Sequence, residues 1–347
     1  LGDGTVANLS TPVQVATNVR TVATGNGHTV YVKNDGTLWA MGFNATGQLG
    51  DGTTTDRHTP VQVATGVVSV AAGDIHTLFL KADGTLWGMG QNSEGELGVA
   101  TTSNLPTPVQ IADHVASIAA GGSQSAFVGT DGSLWISSAG GFSVVATQVA
   151  TVSQGNGYRM FVKTDGTLWG VGNNLKGQLG DGTTQNQSVP VQVPGTSGVI
   201  AVTAGWYYTE FVKADGTMWA RDWNFYGQLG DGTGTSGVKS DEPVAVLTSG
   251  VLNGKVVAGM AAGSGFTIAC TSDGGVYTWG AGTSGQLGNG TLTSINAPGA
   301  VTTSGALSGK RVVAVAAGGT FAAVLTSDGR VYTWGTNNQG QLGVGGT

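Results

Sequence analysis

Short apolar runs recur along this chain, and each is bounded in the same way. A small-residue run ending in Gly ("VAAG", Val70 to Gly73) leads to an apolar run ("HTLFLK", His76 to Lys81) and an Asp-Gly pair. A second apolar stretch ("TLWGMG"), a Gly-rich "GxLG" segment and "PVQI" or a relative complete the unit. Runs this short, punctuated by glycine, read as β-strands and not as helices. Asp-Gly between two of them marks a hairpin, because its turn needs residues that tolerate positive φ. Each unit therefore supplies four strands. In the second strand the consecutive Leu78, Phe79 and Leu80 make both faces apolar, which suits a sheet covered on both sides.

The Asp-Gly turn followed by a Trp- or Tyr-bearing strand appears seven times, at Asp35, Asp83, Asp131, Asp165, Asp215, Asp273 and Asp328. One unit cannot bury both faces of its sheet, whereas seven arranged in a ring can. The fold class expected is all-β: a seven-bladed β-propeller of four-stranded antiparallel blades. The chain opens in mid-unit ("LGDGTVANLSTPVQV") and stops at "NNQGQLGVGGT", so its first residues supply the outer strand that the last unit lacks. A strand near Pro12 to Val15 should thus pair with one near Val331 to Trp334 and close the ring. All of 1–347 reads as one domain, with blades near 20–63, 68–111, 116–149, 151–193, 199–246, 257–301 and 313–347 plus 1–15.

The segments "AAGDIHTLFL", "SDGRVYTWG" and "NNQGQLG" resemble the repeats of the regulator-of-chromosome-condensation family, and the resemblance extends over essentially the whole chain. It implies the propeller fold. It leaves function open, because such propellers include a nuclear guanine-nucleotide exchange factor, a plant ultraviolet-B photoreceptor and secreted bacterial inhibitors of β-lactamases. The short third unit offers no protruding wedge of the kind an exchange factor would use. A photoreceptor would want Trp at several adjacent turn tips, and only Trp206 stands at one.

Strand parity assigns the faces. If "VAAG" runs upward, the turn after it and the "GxNxxGQLG" loop lie on the upper face, while the Asp-Gly turns lie below with Lys33, Lys81, Lys163 and Lys213 as a repeated solvated surface. Unit three ("DGSLWISSAGGFSVVATQV") replaces the long upper loop by a Gly-Gly turn, which should notch the upper rim. Extra residues in the last two junctions ("SGVLNGK", "SGALSGK") belong to the lower, outer edge and read as structural drift.

Composition narrows the picture. The 62 glycines and the 10% of charged residues fit strands and tight turns, with helix nearly absent. A net charge of -6 provides no basic patch for a phosphate backbone, which disfavours nucleic acid as a partner. No apolar stretch is long enough to span a membrane as a helix, so no membrane insertion is expected. The single Cys270, in "FTIACT", reads as a small buried hydrophobe. The start at Leu1, without an initiator Met, points to a processed product or a piece of something longer. Low Lys content and Thr/Asn richness lean towards a secreted or cell-surface bacterial protein.

Candidate chemistry comes from comparing the repeats with one another. His28 and His76 occupy equivalent places on adjacent blades, where later blades carry Gln124, Tyr158, Tyr208, Phe266 and Phe321. A shared metal is one reading; a turn-stabilising residue is the plainer one, because no carboxylate or Cys recurs at ligand spacing. The acids of "LGDGT" (Asp3, Asp51, Asp181, Asp231) suggest calcium or, more simply, local turn capping. "GAGTSG" (Gly280 to Gly285) fits a dinucleotide glycine pattern but precedes another Gly-rich loop and no helix. With no G-x-S-x-G, HExxH or CxxC present, no enzyme activity, cofactor or metal is expected.

The departures concentrate in blade five. Trp206 and Tyr207 make its turn tip aromatic, Glu210 stands where other blades have Val30, Leu78 or Ile268, and Arg221 replaces Met41 or Met89. Asp222 replaces the recurring Gly42, Gly90 and Gly172, and Trp223, Phe225 and Tyr226 follow. Arg159 of blade four replaces a recurring Thr and is expected to approach blade five. One reading makes Glu210 a buried ion-pair partner of Arg221 or Arg159, with the aromatics packing on each other. The other is a non-enzymatic binding module that presents these aromatics, with Asp74 and Arg159 as polar accompaniment, to a protein partner. A carbohydrate stacked on Trp206 or Trp223 is the alternative, and inhibition of a secreted enzyme such as a β-lactamase a further one.

Overall fold

A computed structural model describes residues 7–233 and 239–344. Within them the chain forms strands and no helix, grouped into seven four-stranded antiparallel sheets. Six blades are consecutive in sequence, at 19–64, 67–112, 115–146, 149–192, 199–245 and 257–300. The seventh joins Val312–Ala317, Phe321–Thr326 and Val331–Gly335 to the N-terminal strand Leu9–Ala16. There Val13 pairs with Thr333 and Gln14 with Tyr332, so the expected ring closure is present.

Each level of the blade has a local cause. First strands are made of small residues because seven of them converge on the axis, where they enclose a cavity of ≈ 290 Å³ lined by residues such as Ala71, Ala119 and Ala316. Second strands are buried on both faces, as in His28–Lys33 and Phe266–Thr271. In the hairpin below, Asp35 Oδ1 accepts from the backbone N–H and hydroxyl of Thr37 at 2.9 and 2.6 Å, and Trp39 Nε1 donates to the Thr37 hydroxyl at 2.9 Å. The same triplet recurs at Asp83, Asp131, Asp165 and Asp215. Four of these Trp rings carry a lysine ammonium 4.1–5.1 Å from the centroid, so the lower lysines are ordered on aromatic faces and are not a merely solvated surface.

The upper "GQLG" loops are built for their neighbours. Asn44 Oδ1 accepts from the Leu49 N–H at 2.9 Å, and Asn92, Asn174, Asn224 and Asn337 pin their own loops in the same way. This turns the Gln carbonyl towards the next blade. Thr77 donates to the Gln48 carbonyl, Thr209 to Gln178 and Thr29 to Gln341, at 2.8, 3.2 and 2.7 Å. The glycine two residues on leaves a niche that the next blade's third strand fills: Trp279 against Gly230, Trp334 against Gly288, Met89 against Gly50. Trp279 and Trp334 also donate their indole N–H to the carbonyls of Gln228 and Gln286, each at 2.9 Å.

The "LGDGT" acids follow the capping reading: Asp51 Oδ1 accepts from the Thr53 N–H and hydroxyl, and Arg57 closes on its other oxygen at 2.6 Å. Asp3 lies outside the described residues. The two junction insertions do more than drift. Leu252 and Leu307 enter the core clusters beneath blades five to seven, and Lys255 and Lys310 form ion pairs with the turn aspartates Asp273 and Asp328. Cys270 is fully buried, as expected for a small hydrophobe.

The niche is testable because Gly288 and Gly290 both have left-handed φ, +62° and +80°. A Cβ at Gly288 would meet Trp334 Nε1 at 2.5 Å, whereas at Gly290 its nearest neighbour is 3.8 Å away. Gly288→Ala should therefore cost ~1–3 kcal/mol more than Gly290→Ala in chemical denaturation, the overpacking share of the loss. Equal losses would show that the niche is not what couples the blades.

Candidate functional site

The blade-five aromatics converge. Trp206 and Tyr207 occupy the turn before the second strand Tyr208–Lys213, and Trp223 ends the third strand Met218–Trp223 at the same end of the sheet. Trp206 meets Tyr207 edge-on at 6.4 Å, Tyr207 meets Trp223 at 5.8 Å, and Trp223 stacks on Phe225 at 5.9 Å. Tyr226 closes the group edge-on against Trp223 at 5.6 Å and Phe225 at 4.9 Å. Its other side packs on blade six near Gly265. Edge-to-face geometry is the preferred arrangement of such rings.

The string runs from the axis to the rim. Trp206 lines the mouth of the axial cavity, together with the tips Asn26, Asp74 and Asn156 of other blades. At the outer end Phe225 is 46% exposed, the largest exposure among these five rings, the other four being half-buried. Asp74 is held in the mouth by its backbone: its N–H donates to Gly122 and its carbonyl accepts from Asn26. Burial raises its carboxyl above the usual range.

The charged residues separate where the sequence reading had joined them. Thr209 pairs across the sheet with Arg221, and Glu210 with Ala220. Neighbours along a strand point to opposite faces. Arg221 therefore faces blade four, where it fills the Gly180 niche and donates from Nη1 to the Gly180 carbonyl at 2.9 Å. Glu210 faces blade six and accepts from the Thr267 hydroxyl at 3.0 Å. The expected Glu210 pairing with Arg221 or Arg159 does not form; the pleat forbids it for Arg221. What forms instead is a buried contact between Arg221 and its own neighbour Asp222, with Nε 3.5 Å from Oδ2.

Arg159 corrects a second expectation. It is cross-strand to Gln154 and Val171, and Val171 packs with Ala126, Val128 and Leu134 of blade three. Arg159 therefore faces blade three and not blade five, towards the side on which that blade lacks the long upper loop. In blades one, two and five the residue at this position, Thr29, Thr77 or Thr209, donates to a Gln carbonyl of such a loop. Arg159 is 4% exposed, and its Nε and Nη2 have no hydrogen-bond partner among the described residues; burial lowers its pKa to about 10.

Asp222 occupies a place designed for glycine. Its φ is +80°, and the residues it replaces, Gly42, Gly90 and Gly172, have φ of +105°, +103° and +116°. The third strand of blade five also runs one residue further than its counterparts, with Trp223 pairing to Lys239. A non-glycine residue held in left-handed backbone costs of order 1–3 kcal/mol and tends to mark a functional position.

Expected to stabilise their own turns, the histidines instead bond the next blade through their side chains. His28 Nε2 hydrogen-bonds the Thr77 hydroxyl and His76 Nε2 the Ser125 hydroxyl, each at 3.0 Å and each on the next blade. Tyr158 and Tyr208 make the equivalent bond by donating to the carbonyls of Tyr208 and Phe266, each at 2.5 Å. Burial lowers the histidine pKa values to about 3 and about 4. Among the described residues no group of three or more His, Cys, Asp or Glu could hold a metal ion.

Two measurements test this electrostatic picture. Restoring the repeat with Arg221→Met and Asp222→Gly together should stabilise the protein by ~1–3 kcal/mol, by removing a buried ion pair and a left-handed aspartate; a loss of stability in denaturant titration would contradict it. Burial raises the Glu210 carboxyl well above its ordinary 4.5. A raised folded-state pKa contributes stability that is complete below the unfolded value and is lost as pH rises towards the folded one. The melting temperature of Glu210→Gln should thus gain on the parent as pH rises from about 4.5 to 8, and a gain on acidification would refute it.

Comparison with known proteins gives the fold its relatives. Residues 1–306 match the RCC1-like domain and residues 312–341 the regulator of chromosome condensation (RCC1) repeat. The human E3 ubiquitin-protein ligase HERC2 is 44% identical over 96 residues, 28% of this chain and 2% of that protein. The mitochondrial RCC1 domain-containing protein RUG3 of Arabidopsis thaliana is 37% identical over 95 residues, 27% of this chain and 21% of its own length. The matched segment thus spans a small part of each of these curated relatives. Human WBSCR16 superposes with a TM-score of 0.78 at 22% identity, covering 94% of this chain and 90% of that one. Yeast RCC1 (Prp20), in its complex with Kap60, superposes with a TM-score of 0.79 at 17% identity, covering 96% and 82%. At these identities the solved structures share the fold alone, but the domain match covers most of the chain, and the protein belongs to the RCC1-like domain family.

Proposed function

We propose that this chain is a non-enzymatic interaction module whose upper face docks a protein through the blade-five aromatic string. The observation that carries the reading is the continuous chain of five rings from the axial mouth at Trp206 to the exposed Phe225. Aromatic anchors that are rigid before contact cost little entropy to immobilise, and large aromatics dominate the energetics of protein interfaces. Asp222, held in a glycine's conformation beneath the string, fits a site where stability has been given up for a side chain. Yeast RCC1 (Prp20) bound to Kap60, and Prp20p of Saccharomyces cerevisiae with its binding to Gsp1p and histones, support protein recognition as a use of this fold. The partner in our reading is a protein met outside the cell, at a bacterial surface or in the medium, and inhibition of a secreted enzyme is one form it can take.

The half-buried faces of Trp206 and Trp223 support one other reading, a sugar ring stacked on indole. Two parallel experiments decide between them. Affinity capture with the parent should retain a protein that Trp206→Ala combined with Trp223→Ala reduces at least about ten-fold, the effect of losing hot-spot aromatics, while a glycan array stays silent. A glycan signal abolished by one Trp substitution would replace the protein reading with the sugar one. Retention unchanged by the double substitution would reduce the string to internal packing.

A further inference from the structure

Blade three differs from its neighbours on the lower side as well as the upper. In blades one, two, four and five, the lysine two residues before the turn aspartate lays its ammonium on the following Trp: Lys33 on Trp39, Lys81 on Trp87, Lys163 on Trp169 and Lys213 on Trp219, at 4.1 to 5.1 Å. Blade three has the same turn but carries Gly129 at the lysine position. The rest of the receptor is retained. Trp135 Nε1 donates to the Ser133 hydroxyl at 2.8 Å, and the Ser133 N–H and hydroxyl donate to Asp131 Oδ1 at 2.9 and 2.5 Å. Phe127 stacks on the indole at 5.8 Å, 10° from parallel.

The place where the lysine would lie is an open cavity of ≈ 520 Å³, bordered by Trp135, Phe127, Phe142, Asp131, Asp113 and His114. Two carboxylates border it, and none of its lining residues is a lysine or arginine. The turn aspartates Asp35, Asp83, Asp165 and Asp215 are each held below the usual carboxylate range first by their Thr and also by the nearby lysine; Asp131 is held low by Ser133 with no lysine contributing. An indole face bordered by carboxylates is chemically matched to a cation on an alkyl stem, the group the other four blades supply from within.

We propose that Trp135 and Asp131 form a receptor for a primary alkylammonium supplied in trans, namely a lysine side chain of a partner protein. The site lies at the lower, outer edge of blades two and three, away from the aromatic string, and does not depend on the reading of that string. The same chemistry could reach it as a free amine, so the test separates the two sources.

The test uses the full chain labelled with ¹⁵N at its indoles, with the Trp135 signal assigned through Trp135→Phe. n-Butylammonium chloride, titrated at constant ionic strength, should move the Trp135 signal saturably and at least about three times as far as that of Trp39, whose face already holds Lys33. Gly129→Lys should abolish that response while the protein stays folded, since a Cβ at Gly129 meets only the ends of the Asp131 and Ser133 side chains. A Trp135 shift no larger than that of Trp39, or one that survives Gly129→Lys, would overturn the site. A capped peptide with a single lysine should bind at least about ten-fold more tightly than its Nζ-acetylated form and more tightly than butylammonium. A peptide no better than butylammonium would overturn lysine as the source.

Discussion

The structure depends on one repeated interblade contact: the loop carbonyl and glycine niche of one blade, engaged by the second and third strands of the next. A four-stranded sheet with two apolar faces has no stability alone, so everything rests on how adjacent sheets are held in register. The "GQLG" loop does this with backbone. Its Gln carbonyl accepts a hydrogen bond from Thr29, Thr77 or Thr209, or from the indoles of Trp279 and Trp334, and its last glycine admits a side chain that no Cβ would allow. Below it, a second polar connection runs the other way, from His28, His76, Tyr158 and Tyr208 to the following blade. Buried hydrogen bonds of this kind contribute ~1 kcal/mol each, but leaving their partners unpaired would cost more, so they specify the ring as much as they stabilise it.

Against that background the residues of blade five acquire separate meanings. Arg221 is the niche-filling residue of its blade, performing with a guanidinium what Met89 and Trp279 do elsewhere. Glu210, one strand away and on the opposite face, enters the blade-six interface with Thr267 as its partner. Neither belongs to an exposed recognition surface. The aromatic rings do reach the surface, and Asp222 lies between the two sets, at the base of the string and beside the buried guanidinium.

Blade three shows what happens when the repeated contact loses one of its halves. Without the upper loop there is no Gln carbonyl for the residue at position 159, and an arginine stands there, facing blade three. The niche of the blade-two loop is filled differently as well, by Phe142 from the outer strand lying against Gly98. The same blade has lost the lysine of the lower turn. Two local departures in charge therefore accompany one shortened unit: Arg159, which faces it from blade four, and the missing lysine of its own lower turn.

Much of the architecture was legible in the chain because its signals are local. Asp-Gly between apolar runs specifies a hairpin whatever surrounds it, the repeat count specifies a ring, and an orphan outer strand at one end with an incomplete unit at the other specifies the closure of Val13 on Thr333. Comparison of repeats also isolated the blade-five residues, since uncharged residues at the equivalent places of the other copies make a charged departure visible. What the sequence did not determine was the direction of side chains across blade boundaries. That Glu210 and Arg221 oppose each other, that Arg159 turns to blade three, and that Trp135 opens on a cavity all depend on register and on which neighbour each face meets. Those are properties of packed sheets, set by contacts between residues about 50 positions apart, and only the folded ring brings them together.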